Sequence, residues 1–376
     1  MTRLSVLDLF AGAGGFSLGA HALTDYMWGI ELDADAVATQ KAYGMLSDRA
    51  DITTLDPHNY ADQPRYREML GDTLHVHASP PCQSFSVAGK GDGRKHLEAL
   101  GRAAYYIIIR GEHFEDLSEV PEGSLLVLEP ARWIHALRPD SISMEQVRSV
   151  LPIWESYAAG LRVLGYQTWT ALLHSEQYGV PQTRTRAWLG ASLHREVEAP
   201  NPTHSRYHVR NPAKLDAGLL PWVSMAEALG WGMTKRGSHT VTAGGTSTGG
   251  AELFGNGARQ QMAKHEERGD WSHMMQGTAR VAAAAPATTV QGDSRIWPRG
   301  HKINQADIDR LGKAEAKARY GDRAGTTARR VTVEEAGILQ GFPDDFPWQG
   351  SKTSQFRQVG NAVNPAVAEA VLRSVL

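Results

Sequence analysis

Short apolar runs separated by glycine-rich turns mark the first half of the chain. Residues 4–9, Leu-Ser-Val-Leu-Asp-Leu, read as a buried strand that ends in the turn Ala11 to Gly15. The apolar stretch Phe16–Leu23 then reads as a helix, and Met27–Leu32 as a second strand. Strand, glycine turn, helix, strand is how a doubly wound α/β sheet begins. His75–Ala78, Ser124–Leu128, Thr168–Leu173 and Ala187–Ala191 predict further buried strands, with helices at about 101–110 and 152–165 between them. The last stretch, Asn364–Leu376, predicts a helix.

The pattern weakens near residue 195. Pro200 and Pro202 open a glycine-rich segment with an alanine run at 282–285, and regular patterning returns at Val331. Three divisions follow: 1–195, a loop-rich domain at 196–325, and 326–376 returning to complete the first. At 376 residues the chain has room for one large and one smaller domain, and 41% hydrophobic with 21% charged residues suits a packed core.

The formal net charge of −2 carries no sign of nucleic acid, but local charge does. Arg184, Arg186, Arg195, Arg206, Arg210 and Lys214 lie among few acids, and a second basic stretch runs from Arg299 to Arg330. Either could face phosphates or simply be solvated. A single cysteine excludes an intrachain disulfide and a thiolate metal cluster; no metal is expected. The N-terminus does not read as a signal peptide, and no apolar run approaches the roughly 20 residues of a membrane span. These features predict a cytoplasmic protein without a membrane partner.

The run Asp8-Leu9-Phe10-Ala11-Gly12-Ala13-Gly14-Gly15 sits at a strand-to-helix turn, where glycines let a ligand approach the backbone. Glu31, at the end of the second strand, is placed to accept from a ribose diol, and Asp51 from an adenine amino group. A nicotinamide cofactor would use such a turn too; the spacing G-x-G-G leans towards a methyl donor.

Cys82 lies in Ser79-Pro80-Pro81-Cys82-Gln83-Ser84, directly after a predicted strand. Two prolines stiffen the turn and fix where the thiol points. A lone cysteine is usually a small buried apolar residue, yet the carboxyl end of a sheet strand is where open α/β folds bind ligands. A thiol here suits alkylation of a pyrimidine carbon. Its addition to C6 makes C5 of cytosine an enamine carbon, which can take a sulfonium methyl. A free thiol titrates near 8.5, so the site must supply positive potential, for which Arg184 or Arg186 is available.

Five motifs in order now resemble one family, the cytosine-C5 DNA methyltransferases of bacteria and phages. They are Asp8 to Gly15, Pro80-Pro81-Cys82-Gln83, Tyr178-Gly179-Val180-Pro181-Gln182-Thr183-Arg184-Thr185-Arg186, Leu339-Gln340-Gly341-Phe342-Pro343, and Gln358-Val359-Gly360-Asn361-Ala362-Val363. The resemblance spans roughly 4–195 and 326–376. It implies a Rossmann-like S-adenosylmethionine-dependent methyltransferase sheet with a smaller target-recognition domain at 196–325, in which Thr240-Val241 or Thr289-Val290 would be the dipeptide near its end. It implies donor contacts from Phe10, the glycines Gly12, Gly14 and Gly15, and from Glu31, Asp51, Ile52, Pro80, Asn361 and Val363. Cys82 would be the nucleophile and Glu129 the acid at N3 of the ring. Arg184 and Arg186 would hold the nucleophile loop and the cytosine edge. The loop Ser84–Lys95 would close over a cytosine extruded from double-stranded DNA, since C6 is unreachable in a stacked duplex. A monomer, and a place in restriction–modification, phage protection or solitary regulation, are the implied settings.

The sequence departs from the family where Glu-Asn-Val is usual after the fourth strand: Glu129 is followed by Pro130-Ala131-Arg132. Tyr105 stands where leucine commonly contacts the donor. Two alternatives follow: a catalytically silent DNA-binding relative, or an alkyltransferase using a carboxylated donor such as carboxy-S-adenosylmethionine, with Arg132 pairing the carboxylate. An RNA methyltransferase of the same fold fits the long variable segment less well. A nicotinamide oxidoreductase leaves Pro80-Pro81-Cys82-Gln83 and Gly360-Asn361 unexplained.

Overall fold

A computed structural model of the protein describes residues 3–86, 91–208, 211, 213–229, 242–243, 287–288, 291–292 and 332–376. The chain forms two compact units. The first comprises 1–174, 185–201 and 362–376; the second comprises 175–184 and 202–361. The unit boundaries fall at other residues than the divisions at 195 and 325 drawn from composition. Thr240-Val241, Thr289-Val290, Arg210, Gly89 and the basic stretch from Arg299 to Arg330 lie outside the described residues.

The first unit is built on a seven-stranded sheet. Its strands are β1 (Leu4–Leu9), β2 (Tyr26–Glu31), β3 (Leu46–Arg49), β4 (Thr73–Ala78), β5 (Ser141–Val147), β6 (Gln167–His174) and β8 (Thr185–Ser192). The order is β3-β2-β1-β4-β5-β8-β6. β1 pairs in parallel with β2 and β4, β2 with β3, and β4 with β5, while β8 runs antiparallel to β5 and β6. The chain order reverses between β1 and β4, the crevice where open α/β sheets hold ligands at their carboxyl ends. β1 is buried at all six positions, as a strand covered by helices on both faces must be.

The helices are α1 (Gly15–Ala20), α2 (Ala34–Ala42), α3 (Pro57–Ala61), α4 (Pro64–Arg67), α5 (Leu97–Arg110), α6 (Glu122–Leu125), α7 (Glu129–Leu137) and α8 (Leu151–Val163). α5 packs on α7 and α8. The C-terminal helix, Pro365–Val375, packs on α1, β5 and β8. Its contact with α1 is close: a Cβ at Gly15 would collide with the carbonyl oxygen of Val363, and one at Gly19 with that of Pro365.

Two sequence expectations need correction. Ser124–Leu128 is helical, α6 running into a 3₁₀ turn, Leu126–Leu128. The run packs against α5, so its apolarity reports a buried helix and not a strand. The sheet strands without a sequence expectation are β3 and β5; the sequence of β5, SISMEQV, is polar at four of seven positions yet buried at six. Its serines are satisfied from β4: His75 bonds Ser141 and Ser143, and His77 bonds Ser143, each at 2.8 Å. Buried polar groups need such partners.

In the second unit, β7 (Gln182–Thr183) pairs with β10 (Ala287–Thr288), and β9 (Thr242–Ala243) with β11 (Gln291–Gly292). A short α9 (Met225–Ala228) precedes α10 (Val333–Gln340) and α11 (Lys352–Asn361). Phe342, Phe346 and Trp348 pack together at ring-centroid distances of 4.7–4.9 Å beyond α10. The C-terminal helix of the first unit is therefore α12.

Candidate active site

The first site is built at the carboxyl ends of β1 and β2. Phe10 (φ 60) and Gly12 (φ 55) adopt left-handed backbone conformations as the chain leaves β1, and Gly12 has open space where a Cβ would stand. Gly14 caps α1 at φ 85. Glu31 closes this turn from β2: its carboxylate accepts from Gly12 N at 2.8 Å and from Asp33 N at 2.7 Å. Gln40 of α2 donates to Gly12 O at 2.7 Å. Glycine backbone, an oriented carboxylate and open space at Gly12 form a cradle that fits a nucleoside-bearing donor.

The next strands extend the cradle. β3 ends opposite Glu31, with Arg49 as its register partner. Asp51 follows, capping the 3₁₀ turn Ile52–Thr54 by accepting from Thr53 N at 3.0 Å. The Thr53 hydroxyl and amide hold its carboxyl below the ordinary range. On the other side Ser79 N donates to Leu9 O at 3.2 Å, and its hydroxyl donates to Phe10 O at 3.2 Å. Phe10, Gly12, Gly14, Gly15, Glu31, Asp51, Ile52, Pro80 and Val363 all belong to the first unit.

Cys82 follows β4 by four residues and is partly buried. Its carbonyl accepts from Phe85 N at 3.0 Å and Ser86 N at 2.9 Å, which coils the chain after the thiol into a tight turn. β5 and the turn after it grip this loop from two points. Gln146 donates through Nε2 to Pro80 O, and the Ser149 hydroxyl donates to Phe85 O at 2.9 Å. In register Ala78 faces Met144, so Glu145 is the first carboxylate of β5 at the edge where the cysteine loop begins. Glu145 pairs with Arg186 Nε at 2.9 Å, with side chains 7% and 14% exposed. Arg186 reaches it from β8, where it stands opposite Val147. A desolvated pair of this kind is costly to break from one side, because the remaining charge is left buried.

Glu129 does not occupy that place. It is the first residue of α7, and its carboxylate binds Arg132 one turn on, at 2.6 and 3.0 Å. At the end of β5 stand an acid, an amide and a valine in the order usual for the family, Glu145-Gln146-Val147. Pro130 occupies the first turn of a helix, where a missing N–H costs nothing. A carboxylate, then an amide, then valine just before a predicted helix would have been the signal in the sequence. Gln146 and Ser149 were missed as well.

Arg184 and Asn361 lie in the second unit. Arg184 is buried there and donates to Gly360 O at 3.0 Å. Gln182 donates to Leu339 O at 3.0 Å and to Gln340 Oε1 at 2.7 Å, so that with the Arg184 bond three of the motif segments are linked within this unit. Tyr105 pairs edge-on with Tyr106 on α5. Of the loop Ser84–Lys95, the described part is held by Gly93 N donating to Ser84 O at 3.0 Å. Among the described residues no His, Cys, Asp and Glu cluster could hold a metal ion, and no helix is long and apolar enough to cross a membrane.

Comparison with known proteins decides the family. The profile of the C-5 cytosine-specific DNA methylases matches residues 4–376. The chain belongs to that family. Among its relatives are the type II methyltransferases M1.HphI of Haemophilus parahaemolyticus, 27% identical over 99% of this chain and 87% of the relative, and M.NaeI of Lentzea aerocolonigenes, 26% identical over 99% and 74%. The fold is shared with solved structures. A prophage-encoded DNA modification methyltransferase from E. coli aligns over 99% of this chain and 98% of its own, at TM-score 0.55 and 19% identity. The Dnmt2 methyltransferase of S. pombe aligns over 99% and 97%, at TM-score 0.53 and 16% identity. As a C-5 cytosine methylase the protein methylates cytosine in DNA, with S-adenosylmethionine as the family's methyl donor.

Proposed function

We propose that this methylase acts as a monomer on cytosines extruded from double-stranded DNA, with Cys82 as nucleophile, Glu145 as the acid at N3 and Arg186 holding Glu145. The observation that carries the reading is the register of β4, β5 and β8. It gathers the cysteine loop, Glu145 and Arg186 at one sheet edge, beside the Gly12–Glu31 cradle.

The chemistry follows from those positions. A proton shared between the Glu145 carboxyl and N3 draws electrons from the ring and makes C6 electrophilic. The Cys82 sulfur adds to C6, forming the S–C6 bond and leaving C5 as an enamine carbon. The donor supplies a sulfonium methyl for C5. Water takes the C5 proton, the C5–C6 double bond re-forms as the S–C6 bond breaks and returns the sulfur to Cys82, and N3 gives its proton back to Glu145. Gln146 and Ser149 keep the loop on the strand edge while bonds to Cys82 form and break. Arg186 keeps Glu145 aimed at the ring.

We assign the donor role to Phe10, Gly12, Gly14, Gly15, Glu31, Asp51, Ile52, Pro80, Asn361 and Val363. Glu31 would meet the ribose and Asp51 the adenine. The donor is S-adenosylmethionine itself and not a carboxylated form: Arg132, the cation proposed for a donor carboxylate, is engaged by Glu129, Ile52 and Leu55. With an acid, an amide and a valine in place at the end of β5, the motive for a silent relative also falls away. We assign target reading to the segment 196–325, and to the chain a cytoplasmic role in restriction–modification, in keeping with relatives named type II methyltransferases.

Trapping tests the reading. Incubated with donor and duplex DNA carrying 5-fluorocytosine, the protein should form a covalent adduct, because fluorine at C5 blocks the elimination that frees the thiol. Cys82→Ala should form none and lose turnover while still binding DNA. An adduct from Cys82→Ala would end the assignment. 5-Methylcytosine should be the sole modified base in DNA from expressing cells.

A further inference from the structure

The segment that follows β3 is held weakly by its own backbone. β3 is a strand of four residues that, among the described residues, pairs only with β2. The 3₁₀ turn after it, Ile52–Thr54, is closed by Thr54 N on Asp51 O at 3.1 Å and by Leu55 N on Ile52 O at 3.4 Å. The second is at the limit of a useful hydrogen bond. A side chain from elsewhere supplies what the turn lacks. Arg132, on α7, donates from Nη1 to Leu55 O at 2.6 Å and from Nη2 to Ile52 O at 2.7 Å. The same guanidinium is anchored from behind by Glu129, which accepts from Nε at 3.0 Å and Nη2 at 2.6 Å. Glu129 sits in the first turn of α7, where the helix dipole favours a carboxylate.

We propose that the Glu129–Arg132 pair is a positioning device for the adenosine end of the donor, clamping the Ile52 and Leu55 carbonyls so that Asp51 and Ile52 stay in binding position. The inference rests on the assignment of Asp51 and Ile52 to the donor site. Arg132 touches neither donor nor cytosine. It acts through the turn, so its loss should be felt in donor affinity and not in the chemical step. A planar fork can serve two carbonyls and a carboxylate at once. A lysine ammonium, a single point of charge on a flexible stem, can serve fewer of them with less direction. The partial exposure of the pair, 33% for Arg132 and 19% for Glu129, leaves room for substitutions without opening a core cavity.

The test uses the full-length protein, duplex DNA, S-adenosylmethionine for kinetics and S-adenosylhomocysteine for calorimetric binding. Losing a charge-assisted hydrogen bond costs enough to weaken binding about tenfold. Arg132→Ala should therefore raise the donor KM and the S-adenosylhomocysteine Kd about tenfold. At saturating donor, kcat should stay within about twofold, as should the DNA KM. Arg132→Lys and Glu129→Gln should fall between wild type and Arg132→Ala, and they carry the same test should the alanine variant not fold. Methylthioadenosine, which lacks the amino-acid end, should be weakened by the same factor as S-adenosylhomocysteine.

An unchanged donor Kd in these variants overturns the clamp. So does a fall in kcat that matches the fall in affinity. Asp51→Ala separates this from the underlying reading. If it leaves donor binding intact, Asp51 is not a donor contact. A tenfold loss in Arg132→Ala would then still support the clamp, acting through Ile52 alone.

Discussion

Glu145 and Glu129 are chemically identical and sixteen positions apart, and their neighbours decide what each can do. Glu145 is held by Arg186 at the strand edge that carries the cysteine loop; Glu129 is spent on Arg132 within its own helix. Glu145→Gln keeps size and one acceptor but removes the proton-sharing carboxyl. It should lower kcat by about 10²–10⁴-fold with donor Kd little changed, measured by single-turnover methylation and calorimetry. A kcat within threefold of wild type would remove Glu145 from the mechanism. The cysteine and the glycine turn were legible in the sequence because prolines and glycines punctuate them. Glu145 was not, because its strand looks polar and an apolar run at 124–128 drew the fourth-strand assignment away from it.

Asp8 gives the residue scale a pH signature. Burial pushes its carboxyl up to about 7, the Glu31 charge adds to the rise, and the hydrogen bond from Ser17 at 2.9 Å opposes it. An unfolded aspartate titrates at 3.8, so between those values the folded chain holds a proton that the unfolded chain has lost. Asp8 therefore costs stability progressively as pH rises from about 4 to about 7. His75, lowered by burial to about 3 from 6.5, works in the opposite sense, adding stability as pH rises through about 3 to 6.5. Asp8→Asn isolates the first effect. Its stability in urea should gain on wild type between pH 5 and pH 8, by about 2–3 kcal/mol at 1.36 kcal/mol per unit. An equal offset at both pH values would refute the shift.

Among elements, β5 shows why strand prediction by apolarity has a limit. Ile142 and Met144 fill the core, while Ser141 and Ser143 face a pair of histidines that are themselves buried. β2, β6 and β8 each carry a run of three or more apolar residues, so their hydrophobicity was legible. The contact of α1 with α12 is a second element-scale feature. Gly15 has no positive φ, so its need for glycine is steric: a methyl group would press on Val363 O. Gly15→Ala should cost about 1–3 kcal/mol, read as a lower Tm and weaker donor binding together. An unshifted Tm would mean that the two helices can part without penalty.

Over the whole molecule, the opening of the sheet, β1 to β2, was readable because a glycine turn and a helix join the two strands, whereas the parallel strands β3 and β5 carry no apolar run to announce them. The unit boundaries were not readable, because they depend on long-range partners. Residues 175–184 leave the first unit and the chain returns to it at Thr185; Gly179 and Pro181 mark a turn there, but a turn does not say to which unit it belongs. Arg184 and Arg186, two positions apart in one motif, belong to different units for this reason.

The covering of α1 by α12 also orders events during synthesis. The glycine turn leaves the ribosome roughly 350 residues ahead of the helix that packs on it, from Gly15 to Pro365. At roughly 5–20 residues per second, tens of seconds pass before the two can meet. Until then the apolar face of α1 stays open to water, and a nascent chain has no finished pocket with which to take up its donor. Methylation by this protein is thus deferred until α12 has been made, and the interval before that is when a chaperone would find it.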